Sequence, residues 1–411
     1  MKNLALVTVA SLALTLVIAC APERPDTAAP EAPEEQPAAA VADTDVPDGR
    51  YRGIYADGGE QQVSVQFDVV DETLSNVSFR HLQYRDTGFR NLPEDNQFYP
   101  IWIQHQQIAE HLEGKPLDAI DDLYSPGDFI EDIDSWSGAT IRANKVASAI
   151  RDGINRGIYS PRNGYSVQLG TYQDGRYRGT YGDGGEQQVS IQFDLRDNTI
   201  SNVSYRHLQY RDTGFRNLAE GHQFYPIWVQ HQQIGEYLEG KPLEAIYDLH
   251  NPAEVIDDID TFSGATVRAN KVFSAIMDGL NRGIYSPANG FSRDLPTVAD
   301  GRYRGTYEDG GEQQVSIQFN VNGGVIENVS FRHLQYRDTG FRNLAEDHQF
   351  YPIWAQHQQI GEYLEGKPLE AIYDLHNPAE VIDDIDTFSG ATVRANKVFS
   401  AIMDGLNRGI Y

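Results

Sequence analysis

The chain has 411 residues, 40% of them hydrophobic, and its 33 basic and 60 acidic side chains give a formal charge of −27 at pH 7. Nucleic-acid binding and attraction to anionic lipid both need clustered Lys and Arg; no domain-sized stretch here is basic, so both are set aside, whereas an acidic surface steers positively charged partners such as basic redox proteins. The single Cys, Cys20, excludes an intrachain disulfide, a Cys-based metal site and a haem attachment motif.

Lys2 and the apolar run Leu4 to Ile18 read as a signal segment too short for a transmembrane helix, which needs about 20 residues. It ends in Val17-Ile18-Ala19-Cys20, which resembles a bacterial lipobox: residues 1–19 are removed, and Cys20 is lipidated and becomes the mature N-terminus. Ala21 rather than Asp after that Cys favours outer-membrane delivery, facing the periplasm or the cell surface. Residues 20–47 follow as a solvated tether rich in Ala, Pro and acidic residues, with a reach between about 30 Å as a coil and about 80 Å as polyproline.

Three repeats come next. Each opens with Asp-Gly-Arg-Tyr-Arg-Gly, at Asp48, Asp174 and Asp300, and ends in Gly-Ile-Tyr, at Tyr159, Tyr285 and Tyr411. The period is that of an ordinary globular domain of about 100 to 150 residues, which predicts tandem domains at 48–173, 174–299 and 300–411. In the second copy Val189, Ile191, Phe193 and Leu195 alternate with Ser190, Gln192 and Asp194, and Asp197-Asn198 turns the chain into Ile200 to Tyr210, an antiparallel hairpin. Pro226 opens a helix with Ile227, Ile234 and Leu238 on one face, and Pro242 opens another through Ala245 and Leu249. The last helix starts at Ser263, with Val272, Ala275, Ile276, Gly279 and Leu280 on one face. The fold class expected is α+β: three domains, each a twisted antiparallel sheet with helices packed on one face.

At the start of that last helix each repeat carries Asp-x-x-Ser-Gly-Ala-Thr: Asp134, Ser137, Gly138, Ala139 and Thr140; Asp260, Ser263, Gly264, Ala265 and Thr266; Asp386, Ser389, Gly390, Ala391 and Thr392. Ser is a good N-cap, Gly lets a ligand approach the backbone, and Thr places a hydroxyl in the first turn. Such a terminus favours a phosphate, but the dipole contributes only about 0.3 to 2 kcal/mol, too little to retain a cofactor outside the cell. A phosphoester to Thr would retain it.

With Asp-Gly-x-Tyr-x-Gly and a two-stranded segment ahead of it, this motif resembles the FMN-binding domain family over nearly all of each repeat. The resemblance implies that a flavin transferase moves the FMN part of FAD onto Thr140, Thr266 and Thr392, with the acidic and small residues above in support. It also makes Thr87-Gly88, Thr213-Gly214 and Thr339-Gly340 a degenerate flavin-side loop. The chain departs from the family in placing Arg142, Arg268 and Arg394 where Ser or Thr is common. The function expected is a membrane-tethered electron carrier with up to three covalent FMN groups and redox partners among dehydrogenases, cytochromes or reductases. No dinucleotide-binding Gly motif or nucleophile–base pair marks a self-sufficient enzyme.

Other readings stay beside this one: a surface adhesion or scaffold lipoprotein without cofactor, or a flavin-based sensor. The aromatics at Tyr84 and Trp102 read first as core. Asp121, Asp122, Glu131, Asp132 and Asp134 lack calcium-loop spacing, and His105, His231 and His357 lack a second metal ligand at i+4.

Overall fold

The computed structural model describes residues 46–56, 61–84, 87–130, 143–161, 169–182, 187–210, 213–256, 269–288, 295, 297–308, 313–336, 339–382 and 395–411. Ala38–Tyr411 forms one compact unit. The first repeat runs β1 (Gly49–Ala56), β2 (Gln61–Val70), β3 (Thr73–Tyr84), β4 (Thr87–Gly88), α1 (Tyr99–Leu112), α2 (Ala143–Asn155) and β5 (Ser160–Pro161). The second gives β6 (Gly175–Gly182), β7 (Gln187–Arg196), β8 (Thr199–Tyr210), β9 (Thr213–Gly214), α3 (Tyr225–Leu238), α4 (Ala269–Asn281) and β10 (Ser286–Pro287). The third gives β11 (Gly301–Glu308), β12 (Gln313–Asn322), β13 (Val325–Tyr336), β14 (Thr339–Gly340), α5 (Tyr351–Leu364) and α6 (Ala395–Arg408).

Each repeat is an antiparallel sheet with helices on it, the α+β architecture read from the periodicity. The sheet orders are β4-β3-β2-β1-β5, β10-β6-β7-β8-β9 and β11-β12-β13-β14. The hairpin turns at Asp197 and Asn198, both with positive φ, and Val189, Ile191, Phe193 and Leu195 are buried as their alternation requires. Ser190 is buried too: the ladder shifts register between Ser190 and Ile191 and again between Gln192 and Asp194, so the strand is not half-exposed at its centre. Pro226 lies in the first turn of α3, whose Ile227, Ile234 and Leu238 reach the core. The segment after Pro242 is a 3₁₀ helix, Leu243–His250, with Leu243, Ala245, Ile246 and Leu249 buried.

The helix after each motif departs most from the expectation of one apolar face. In α4 the anticipated Val272, Ala275, Ile276, Gly279 and Leu280 are buried, and so are Lys271, Ser274 and Asp278 on the remaining surface. One side lies on the sheet so closely that Gly179 of β6 meets the helix backbone. A Cβ on Gly179 would overlap the Ala275 carbonyl oxygen and lie 2.8 Å from the Gly279 Cα. The other side meets the other repeats, because α2, α4 and α6 touch one another and the three repeats close into a ring.

The closure is cyclic and polar. Arg156 pairs with Asp278 at 3.2 Å, Arg282 with Asp404 at 3.1 Å, and Arg408 with Asp152 at 3.1 Å. Each Asp also pairs with the Arg four residues on in its own repeat, at 2.7 to 2.9 Å. The same carboxylates accept the backbone N–H of Ile54, Thr180 and Thr306 at 2.8 Å, tying helix to strand. Asn155, Asn281 and Asn407 donate to the main-chain oxygens of Asn407, Asn155 and Asn281, which runs the ring in the opposite sense. All six charged side chains are at most 5% exposed. Burial opposes the ionised Asp278, but Arg156 and Arg282 overcome it and hold its carboxyl below the ordinary range. The junction between third and first repeats carries an additional clamp: Tyr124 donates to the Ile410 carbonyl, and Arg151 donates to the Tyr124 hydroxyl and pairs with Asp121. The second and third repeats place His250 and His376 at the Tyr124 position and Met277 and Met403 at the Arg151 position.

Three outcomes are expected from urea unfolding. Arg282→Met leaves Asp278 with Arg156 alone and Asp404 with Arg408 alone, a buried network short of one cation, and costs about 3 to 5 kcal/mol, whereas Arg176→Met, at a pair whose Arg is 42% exposed, costs under about 1 kcal/mol. Gly179→Ala forces helix and strand apart and costs about 3 kcal/mol or more.

Candidate functional site

The Ser-Gly-Ala-Thr segments, with Thr140, Thr266 and Thr392 and their Asp134, Asp260 and Asp386, lie in residues 131–142, 257–268 and 383–394, outside the described residues, as does Cys20. Described from three residues beyond each Thr are the helices α2, α4 and α6, and the first turn of each is built into a junction between repeats. Asn270, four residues after Thr266, donates to the main-chain oxygen of Tyr159 at 3.0 Å. Asn396 does the same to Tyr285 at 3.2 Å, and Asn144 to Tyr411 at 3.0 Å. Each motif helix is thus pinned to the terminal Tyr of the preceding repeat, and the first helix to that of the third.

The side chains repeat this pattern. Lys271, only 4% exposed, sits 5.5 Å from the centre of the Tyr181 ring; Tyr181 stacks on Tyr159 at 6.0 Å, and the Arg52 guanidinium lies over the Tyr159 ring at 4.0 Å. The equivalent ladders are Lys397, Tyr307, Tyr285 and Arg178, and Lys145, Tyr55, Tyr411 and Arg304. A cation over each ring of a stacked pair gains from the ring quadrupole, and more so when buried. Accordingly, Tyr159 belongs to the apolar core of the second repeat, Tyr285 to that of the third, and Tyr411 packs on that of the first.

Four buried atoms at these junctions have no hydrogen-bond partner among the described residues: the hydroxyls of Tyr159 and Tyr411 and the Oδ1 atoms of Asn270 and Asn396. A phenolic donor and an amide acceptor left unpaired next to a buried ammonium are costly in a plain core and suit a polar ligand. The described residues therefore fit a flavin nucleotide: Lys145, Lys271 and Lys397 supply positive charge, and the Tyr and Asn groups a donor and an acceptor.

Other sequence candidates fall elsewhere. Thr87-Gly88, Thr213-Gly214 and Thr339-Gly340 form short edge strands β4, β9 and β14, three strand positions or about 14 Å from β1, β6 and β11, on which the motif helices pack. A Cβ at Gly88 would find its nearest neighbour, the Leu82 oxygen, at an ordinary 3.8 Å, so the described fold does not demand glycine there. Trp102 packs against the core, whereas Tyr84, Tyr210 and Tyr336 are 41 to 46% exposed. His105, His231 and His357 are buried, each bonded through Nδ1 at 2.8 Å to the carbonyl four residues back and set edge-on against Phe79, Tyr205 and Phe331. Burial lowers all three from an ordinary value of 6.5 to about 4. Asp152, Asp278 and Asp404 bring ligand atoms within 4.8 Å of one another, a metal-like spacing. Three guanidiniums already neutralise them, so a cation entering there would meet equal and opposite fixed charge.

Sequence reasoning did not single out the axial Asp and Arg or the junction Tyr residues. Their signal was present in Asp-Gly-x-Asn-Arg-Gly-Ile-Tyr, repeated at identical spacing with its charges beside the apolar helix face.

No family model matches the chain, and neither does any curated protein or solved structure. The likeness to FMN-binding domains rests on the motif and its repeat frame.

The buried His residues set a pH dependence. Their folded pKa of about 4 lies below 6.5, so between those values the unfolded chain takes up protons that the native chain refuses. Stability complete above pH 6.5 is lost as pH falls toward 4, by up to about 3 kcal/mol per His. Urea unfolding at pH 7.5 and 4.5 should register this loss, and His231→Asn, which keeps a donor for the Ile227 carbonyl, should reduce it by one His share.

Proposed function

We propose that this protein is an exported, membrane-tethered electron carrier holding covalent FMN on Thr140, Thr266 and Thr392, loaded by a flavin transferase that uses FAD. The observation that supports this most is the threefold return of Asp-x-x-Ser-Gly-Ala-Thr ahead of a helix whose first turn brings a buried Lys and unpaired polar atoms to a repeat junction. Bound flavin would supply the redox chemistry. The residues of the chain attach it, orient it and shield it from water. Lys145, Lys271 and Lys397 place a cation within a buried region beside each attachment segment, which favours a flavin that gains negative charge on reduction. Electrons would pass between a membrane dehydrogenase or quinol-linked donor and a cytochrome, reductase or external acceptor. Cys20 and the tether would keep the ring near an outer membrane, at its periplasmic or external face. Among the described residues no helix is long and apolar enough to cross a membrane.

A second reading is a scaffold lipoprotein without cofactor, favoured by Tyr84, Tyr210 and Tyr336, the large hydrophobic side chains that the described surface exposes in a threefold set. Intact mass separates the two. Coexpressed with a flavin transferase, the protein should gain up to three increments of FMN less water and fluoresce in a denaturing gel. Thr140→Ala, Thr266→Ala and Thr392→Ala should each remove one increment. An unmodified wild-type mass would favour the scaffold, in which each Thr→Ala costs only about 1 kcal/mol.

A further inference from the structure

We propose that the second repeat holds a binding site for a sugar acid, a single carboxylate carried on a hydroxylated ring, in a cavity that spans β10, β6, β7 and β8 at one end of its sheet. The site uses no residue of the attachment segments and stands apart from the flavin reading.

The cavity has a volume of about 350 Å³. That is close to the lower bound of about 300 Å³ for small-molecule sites, so it suits a ligand of one ring. Ser286, Arg176, Asp194 and Ser201 stand in one row across it, set by the register of β10 with β6, β6 with β7 and β7 with β8. Arg176 and Asp194 alternate with Tyr177, Phe193 and Leu195 of the apolar core, so they belong to the opposite face of the sheet. A Cβ on Gly175 would lie 3.0 Å from the Ser286 main-chain oxygen; glycine there lets β10 close against β6 as a wall. Pro287 and Ala288 extend that wall with apolar surface.

The charges select the ligand. Asp194 accepts from Arg176 Nε at 2.8 Å and Nη2 at 3.2 Å, and from Asn202 Nδ2 at 2.9 Å. Arg176 Nη1 and the hydroxyls of Ser201 and Ser286 remain unengaged among the described residues, and so does Arg196, exposed at the end of β7. The side chains lining the cavity thus carry two positive charges against one negative. A guanidinium fork matches a carboxylate, and the serine hydroxyls with Nη1 match ring hydroxyls. The C–H face of a sugar ring suits Pro287 and Ala288. Just beyond the lining Asp174 accepts the Asp197 N–H at 2.8 Å, and the whole chain carries −27. That surrounding charge opposes a phosphate dianion more than a monoanion.

The other repeats do not reproduce the cavity's charge. Val70 and Asn322 hold the places that correspond to Arg196, and in the third repeat Asn320 and Glu327 replace Asp194 and Ser201. In the first repeat the equivalent pair is more deeply covered, with the Asp68 side chain 3% exposed against 23% for Asp194. Three similar domains should therefore bind one ligand.

Calorimetric titration of the full-length protein with sodium glucuronate should give one site per chain, and glucose, acetate and inorganic phosphate should each bind about tenfold more weakly or less. Glucose binding as tightly would remove the role of the carboxylate, acetate that of the hydroxyls, and phosphate the preference for a monoanion. Three sites per chain, or no binding at millimolar glucuronate, would overturn the proposal. Arg196→Gln removes an exposed side chain without a partner, so the unfolding midpoint should hold while affinity falls about tenfold or more; unchanged affinity would refute the site. Glucuronate should also shield Arg196 from phenylglyoxal and leave Arg302, the third-repeat counterpart of Arg176, open to it, as read by peptide mass spectrometry. Equal modification of Arg196 with and without glucuronate would place the binding elsewhere and refute the site. A glucuronate oligosaccharide that binds more tightly than the monomer identifies an acidic glycan as the source, and equal affinity identifies a free sugar acid. Protein without flavin should bind glucuronate equally well, so that loss of the flavin reading leaves this site standing.

Discussion

Six charged side chains at the centre of the molecule fix everything around them. Each of Asp152, Asp278 and Asp404 holds an Arg of its own repeat, an Arg of the preceding repeat and a backbone N–H of its own sheet. A buried pair of this kind adds little net stability over an apolar one, because desolvation cancels much of the attraction. What it supplies is definition. An apolar axis would let three helices rotate or slide at small cost, whereas a carboxylate that must meet two guanidiniums and an amide allows one phase of each helix.

The helices explain how far the sequence could be read. Strand alternation and the Pro-started helices were legible because each obeys one period against one core, as Val189 to Leu195 and Ile227 to Leu238 do. For α4 the period correctly identified the sheet-facing side, while Lys271, Ser274 and Asp278 had the composition of a solvated side. Two of them meet parts of the chain that lie far off in sequence: Asp278 pairs with Arg156 of the first repeat, and Lys271 sits over Tyr181, which stacks on Tyr159. An open row of domains and a closed ring have the same sequence period, so closure has no local signature. It becomes visible only where Asp278 is matched to an Arg of another repeat, 122 residues away, as Arg156 is.

The candidate site divides in the same way. The expectation of an attachment motif at Ser-Gly-Ala-Thr rests on consecutive residues, which lie outside the described ones. The junction Tyr residues were read only as the end of a repeat, since their partners Asn270, Tyr181 and Lys271 come from the next. On the flavin reading, closure also decides how the three groups relate. Each site has the same two neighbours round a ring, so the carrier is a store with three equivalent entrances and not a line with a first and a last station.

Fusing the three repeats into one chain frees that ring from exact symmetry. In an assembly of three identical subunits every substitution appears three times about the axis. Here Glu308 stands at the end of β11 among Arg156, Arg282, Arg408 and Asp404, where burial raises its carboxyl above the ordinary range, while Ala56 and Gly182 hold the corresponding places. Three such carboxylates would crowd one small region with like charge. One is tolerated, and Tyr124 with Arg151 likewise alters a single seam. A covalent ring can thus acquire a front and a back, giving a partner one face to recognise among three that share a fold.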